Sequence, residues 1–187
     1  MRMIGYEYWC LVVAANCTLD VLSYSTYGIK PKCIPGKTKP RYGHLKVNEE
    51  LIWTSQWCAD PKYHIRGLTI FVLKPFDACS IDGGHFCDSH WYKTAAPELV
   101  SYLEKVPDGT VLIGVTTDEA SNYLAEALPA LLDLGVDVGD VQYQGSFGFI
   151  AQKGFPEKTV LRKVTTADES NTNPAKFNAT VTGKYCT

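Results

Sequence analysis

Gly67-Leu68-Thr69-Ile70-Phe71-Val72-Leu73 decides how this chain folds. The run carries no charge, and its aliphatic, β-branched and aromatic side chains suit a buried, pleated strand. Arg66 precedes it, and Lys74-Pro75-Phe76-Asp77 turns the chain after it. Cys79-Ser80-Ile81 pairs next in this reading, and Asp82-Gly83-Gly84 is a strong turn signal.

Downstream, helical and strand patterns alternate. Residues 94–106 place Ala96, Leu99, Val100, Leu103 and Val106 at helical spacing. Pro97 suits a first turn, and Pro107-Asp108-Gly109 stops the element. Val111-Leu112-Ile113-Gly114-Val115 reads as a strand. Thr116 and Glu119 fit a capping box, which predicts a helix carrying Ala120, Leu124, Ala127, Leu128 and Leu131. Pro129 should kink or split it, and Gly135 fits its C-terminal cap. Residues 136–143 read as strand broken by Gly139-Asp140, and Phe147-Gly148-Phe149-Ile150-Ala151 as a second buried strand. Residues 159–165 alternate as an exposed-face strand, and 166–176 read as polar loop.

Upstream, residues 45–57 supply one or two strands, and residues 1–29 show no clear period. Between them Lys30, Lys32, Lys37, Lys39, Arg41 and Lys46 occur without an acidic residue, and Pro31, Pro35 and Pro40 exclude a helix. An anionic-glycan or phosphate patch is one reading. A solvated loop is the weightier one, because charge runs usually solvate. A mixed α+β single domain summarises the pattern.

The chain has 187 residues, 45% of them hydrophobic, which suffices for one sizeable core. Its net charge of -2 and pI of about 6.1 argue against a nucleic-acid partner. No stretch is long and apolar enough for a membrane span. Seven cysteines exceed the usual cytosolic number, and they form no Cys-x-x-Cys pair. Two sequons, Asn16-Cys17-Thr18 and Asn178-Ala179-Thr180, join them in pointing to secretion and N-glycosylation at Asn16 and Asn178. The odd cysteine is free or bonds a second chain, as in a homodimer. Arg2 ahead of the mostly apolar residues 8–15 makes a short, poor signal-like start, and a truncated precursor is the plainer reading.

Few motifs carry chemistry. No glycine-rich fingerprint or phosphate loop is present, so no cofactor is expected. Gly145-Ser146-Phe147-Gly148 misses the nucleophile elbow, leaving Ser146 an ordinary residue. His85, Cys87, Asp88 and His90 contain possible zinc ligands. A disulfide between Cys79 and Cys87 across the glycine turn is the weightier reading, with no metal. Asp118 and Glu119 read as an acid/base pair or, more simply, as carboxylates favoured at a helix N-terminus. Asp133, Asp137 and Asp140 match no calcium loop. Trp53, Trp57, Trp91, Tyr92 and Tyr143 lie in or beside loops, where exposed rings stack on sugars, although core packing is the commoner role.

Arg66 to Leu73, Gly84-His85-Phe86, the stretch 107–113, Thr117-Asp118-Glu119-Ala120, Leu131-Leu132-Asp133-Leu134-Gly135 and the stretch 145–154 occur in one order. Together they resemble the ILEI-type domain. That domain occurs in cytokine-like secreted proteins, in the stem of a protein O-mannose glycosyltransferase and in hyaluronan-binding proteins. The resemblance implies two antiparallel β-sheets packed face to face with short flanking helices, an α+β domain that is secreted, disulfide-bonded and not catalytic. The resemblance runs from about residue 42 to 154, and the chain is expected to comprise a domain at 42–165, an N-terminal extension at 1–41 and a polar tail at 166–187 tied by Cys186. By analogy with the family's N-terminal bridge it pairs Cys33 with Cys58. In the glycosyltransferase stem the domain binds sugar, and the matching positions here are Asp118, the backbone of Thr117, and Gln144. The family's Arg-Asp is Gln144-Gly145 here, so the charge-assisted donor is lost. Tyr143 is placed to stack on a ring. The expected function is a secreted lectin-like protein whose partner is a glycan or glycoprotein. The alternative is a cytokine-like ligand for a cell-surface receptor.

Overall fold

The computed structural model describes residues 15–23, 41–56, 66–74, 79–143, 145–165 and 175–183. Among these residues two antiparallel sheets pack face to face. The four-stranded sheet contains β1 (Ala15–Ser23), β2 (Arg41–Val47), β3 (Glu50–Gln56) and β9 (Ala175–Gly183), in the order β3-β2-β1-β9. The five-stranded sheet contains β4 (Gly67–Lys74), β5 (Ser80–Cys87), β6 (Val111–Thr117), β7 (Ser146–Gln152) and β8 (Phe155–Val164), in the order β5-β4-β6-β7-β8. Helices α1 (Ala95–Lys105) and α2 (Leu128–Asp133) cover the outer face of that second sheet.

This layering explains the uncharged, mostly apolar run in β4. Phe71 and Leu73 point inward and meet Val111, Ile113, Val115 and Ile150 beside them and Leu19, Val21, Leu45 and Phe177 of the other sheet. Leu68 and Ile70 point the other way and pack with Leu112, Phe147 and Phe149 beneath Leu99, Leu103 and Leu131 of the helices. A strand buried on both faces reads as near-continuously apolar, and Thr69 is the one polar side chain buried within this run. The β2–β3 hairpin turns at Asn48 and Glu49, both at positive φ (49° and 69°), as a two-residue primed turn requires.

Several expectations change. Cys79 does not pair with Cys87. Asp82-Gly83-Gly84 makes no turn; β5 runs straight through it, with the register against β4 shifting between Phe71 and Leu73. Gly84 is needed there because a Cβ would lie 2.3 Å from the Ile70 carbonyl oxygen. Cys79 and Cys87 therefore bracket β5, separated by roughly 25 Å of extended chain, whereas a bridge needs Cα atoms within about 7 Å. Cys79 bonds Cys17 instead, which joins β1 to the start of β5 and so links the two sheets. Cys33 and Cys58 lie outside the described residues, as do Cys10 and Cys186.

The capping-box helix does not form either. β6 continues through Thr117, and the helical spacing that follows yields only a 3-10 turn (Ala125–Ala127) and α2. The Thr116 hydroxyl accepts from the Phe147 N–H at 2.8 Å and contacts Ser23 Oγ at 2.5 Å, so it is not available as a cap. Pro129 sits in the first turn of α2, where its missing donor costs nothing. Residues 136–143 form turns and loop rather than strand. β1 and β9 lie outside the expected 42–165 limits and supply half of the four-stranded sheet.

Candidate functional site

Polar burial concentrates at one end of the five-stranded sheet. β4 and β6 are paired so that Gly67 faces Thr117. The residues flanking that pair, Arg66 and Asp118, meet beyond it: Arg66 Nε lies 2.9 Å from Asp118 Oδ2. Their side chains are only 21% and 10% exposed, so water screens the pair weakly. Asp118 has φ +57°, a conformation that Asp and Asn tolerate better than other non-glycine residues. The end of a straight strand thus aims a carboxylate sideways, and a guanidinium from the neighbouring strand holds it.

Glu119 belongs to the architecture. Its Oε1 accepts from Ser121 N at 2.5 Å, Ser121 Oγ at 2.6 Å and Asn122 N at 3.1 Å. Its carboxylate is thus engaged by its own turn and does not form a pair with Asp118 across a cleft. Thr117 is buried beside it, and its Cγ2 marks the space a Cβ on Gly43 would need. Ser146 is 2% exposed within β7, too enclosed for a nucleophile.

A second loop closes over this end. Ser89 Oγ donates to the Ala120 carbonyl at 2.6 Å, Tyr123 N donates to the Ser89 carbonyl, and Asn122 Nδ2 donates to the His90 carbonyl. These bonds hold residues 88–92 against the 118–123 turn. Trp91 and Tyr92 protrude from that loop at 62% and 61% exposure. Arg66 lies over the Trp91 ring, with its guanidinium carbon 5.6 Å from the centroid. One guanidinium thus touches both the buried carboxylate and the exposed indole.

Of the sequence-derived residues, Thr117 and Asp118 are together. Tyr143 is 58% exposed on the turn leading into β7, at the same end of the sheet. Gln144 lies outside the described residues. Gly145 is a packing requirement, since a Cβ there would meet Val141 Cγ1 at 2.6 Å and the Val164 carbonyl at 2.8 Å. Arg66 was not singled out as a partner for Asp118; only the strand register brings the two together. The possible zinc ligands do not converge. Cys87 is buried under α1, His85 stacks on Tyr102 at 4.7 Å, and His90 meets the edge of Trp91 at 4.5 Å. Among the described residues no three His, Cys, Asp or Glu side chains could together hold a metal ion.

At the opposite end a cavity of about 700 Å³ is lined by Val72, Tyr102, Val106, Pro107 and Val111. Lys74 and Asp82 at its rim pair with each other at 2.6 Å. Lys105, Asp108, Thr110 and Gln152 add polar side chains to its largely apolar lining.

Residues 66–155 match the family model described as interleukin-like EMT inducer, ILEI. The match opens at Arg66 and closes on the first residue of β8. No curated protein matches the chain.

Proposed function

With an ILEI domain at residues 66–155, we propose that this is a secreted, non-enzymatic carbohydrate-binding protein whose sugar enters at the Asp118 end of the five-stranded sheet. The observation that supports this is the Arg66–Asp118 pair at 2.9 Å, with Asp118 fixed at positive φ. A carboxylate held in one orientation accepts from sugar hydroxyls without first losing side-chain freedom. Arg66 supplies a charged donor fork beside Asp118. Thr117 contributes main-chain contact, and Tyr143 borders the sugar.

The first measurement is a glycan array on the secreted, oxidised protein, with and without chelator. Binding to one sugar class in both conditions is expected. Asp118→Asn keeps an acceptor oxygen and tolerates positive φ, so the variant should fold and lose binding. A folded Asp118→Asn protein that binds like the parent would sink the assignment. Asp118→Ala is the poorer test. It leaves Arg66 without its carboxylate and should itself cost about 3 kcal/mol of stability, read as a lowered Tm.

A cytokine-like ligand for a protein receptor is the second reading. Trp91 and Tyr92 favour it, because exposed aromatics of this kind dominate protein interfaces. A blank array on folded protein, with saturable binding to cells, would move the assignment there.

A further inference from the structure

We infer that Trp91 is the stacking platform of the site and that the site selects a neutral hexopyranose over an acidic sugar; this rests on the carbohydrate reading above. Sequence spacing alone does not tie Trp91 to Asp118. The tie is Arg66, 2.9 Å from the carboxylate and 5.6 Å from the indole centroid. Those two contacts put a buried acceptor and an exposed apolar ring within the reach of one sugar unit. A pyranose presents an apolar C–H face and a polar hydroxyl rim, and the two halves of this site match them.

The platform is preset. The Trp91 backbone N–H donates to Asp88 Oδ1 at 3.2 Å, and the His90 ring stands at 85° to the indole with centroids 4.5 Å apart. The bonds from Ser89 and His90 to the 118–123 turn fix the loop itself. Indole exposed at 62% and held this firmly gives contact area at low entropic cost.

Charge sets the class of sugar. Asp88, Asp118 and Glu119 stand around the site against Arg66 and Lys93. Among the described residues the balance is negative, and the Arg66 charge already faces Asp118. A uronate or sialic-acid carboxylate would meet like charge there, and the described residues form no cationic pocket of the kind that specific anion recognition requires.

Calorimetric titration of the full chain with methyl glycosides of glucose, galactose, mannose, N-acetylglucosamine and glucuronic acid tests this. At least one neutral glycoside should bind about tenfold or more tighter than the glucuronide. Trp91→Ala should weaken that binding about tenfold, with Tm unchanged because the ring is on the surface, and Trp91→Phe should recover part of the loss. Trp91→Ala binding within about twofold of the parent, or a glucuronide that binds as tightly as the neutral sugars, overturns the inference. If Asp118→Asn still abolishes binding in that case, the carbohydrate reading survives alone. If the folded parent binds no glycoside, both fall.

Discussion

Cys87 ends β5 beneath α1 at 1% exposure, and its Sγ donates weakly to the Ala95 carbonyl at 3.4 Å. Burial, helped by the charges of Asp88 and Glu98, pushes its thiol from 9.0 up to about 12. The neutral thiol is thus the form the fold accepts. Unfolded chain loses that proton from about pH 9 upward, while folded chain keeps it, so stability falls as pH rises from 9 towards 12. The slope from this residue is at most about 1.4 kcal/mol per pH unit. Denaturant melts at pH 8 and pH 10.5 should show the decline, and Cys87→Ala should flatten it. A maleimide should leave Cys87 untouched in native protein and label it after unfolding; native labelling of Cys87 would contradict its burial. Chain spacing gave no hint that Cys17 was the partner of Cys79, because residues 1–29 show no period and the bridge depends on how the two sheets stack. Asp118 was singled out for the opposite reason, since its neighbours form a local motif. Arg66 was not legible as its partner, because that contact needs the Gly67–Thr117 register.

Among the elements, β6 and β7 share one tight crossing. Gly114 faces Phe149 across the ladder, and a Cβ on Gly114 would lie 2.0 Å from the phenyl ring. The ring lies where any other side chain would go. Gly114→Ala should cost about 1–3 kcal/mol, and Tm should drop about 2–4 °C per kcal/mol. Adding Phe149→Leu should return part of that loss; a double variant no better than the sum of the singles would mean the two do not share space. The strands with apolar or β-branched runs and helix α1 were readable from pattern alone. The helical spacing from Ala120 to Leu131 was real but overextended: Thr116 and Thr117 prolong β6, and Glu119 spends its carboxylate on a turn. β9 hid inside a polar segment because its outward residues, Asn178 and Thr180, are exposed, and of its core-facing residues Ala175 and Phe177 are buried while Ala179 and Val181 are only partly so.

Over the whole molecule, the ILEI match covers only part of what makes the fold stable. Residues 66–155 contain none of the four-stranded sheet. Cut out alone, they would expose Phe71, Leu73, Val111, Ile113 and Ile150, an apolar face that invites association. A 66–155 fragment should therefore aggregate or bind a hydrophobic dye where the full chain does not; a monomeric, cooperatively melting fragment would refute this. The Cys17–Cys79 bridge closes a separation of 62 residues between the layers. Replacing both cysteines with alanine should cost about 2–4 kcal/mol, measured as a lower denaturation midpoint. The pairing of β1 with β9 has a further consequence. Ala15 lies opposite Gly183, so whatever precedes the one and follows the other departs from a single spot on the surface. Such a unit can be spliced into the loop of a host protein, or rewired: a short linker from 183 to 15, with new ends opened at Asn48-Glu49, would give a circular permutant with every strand neighbour preserved.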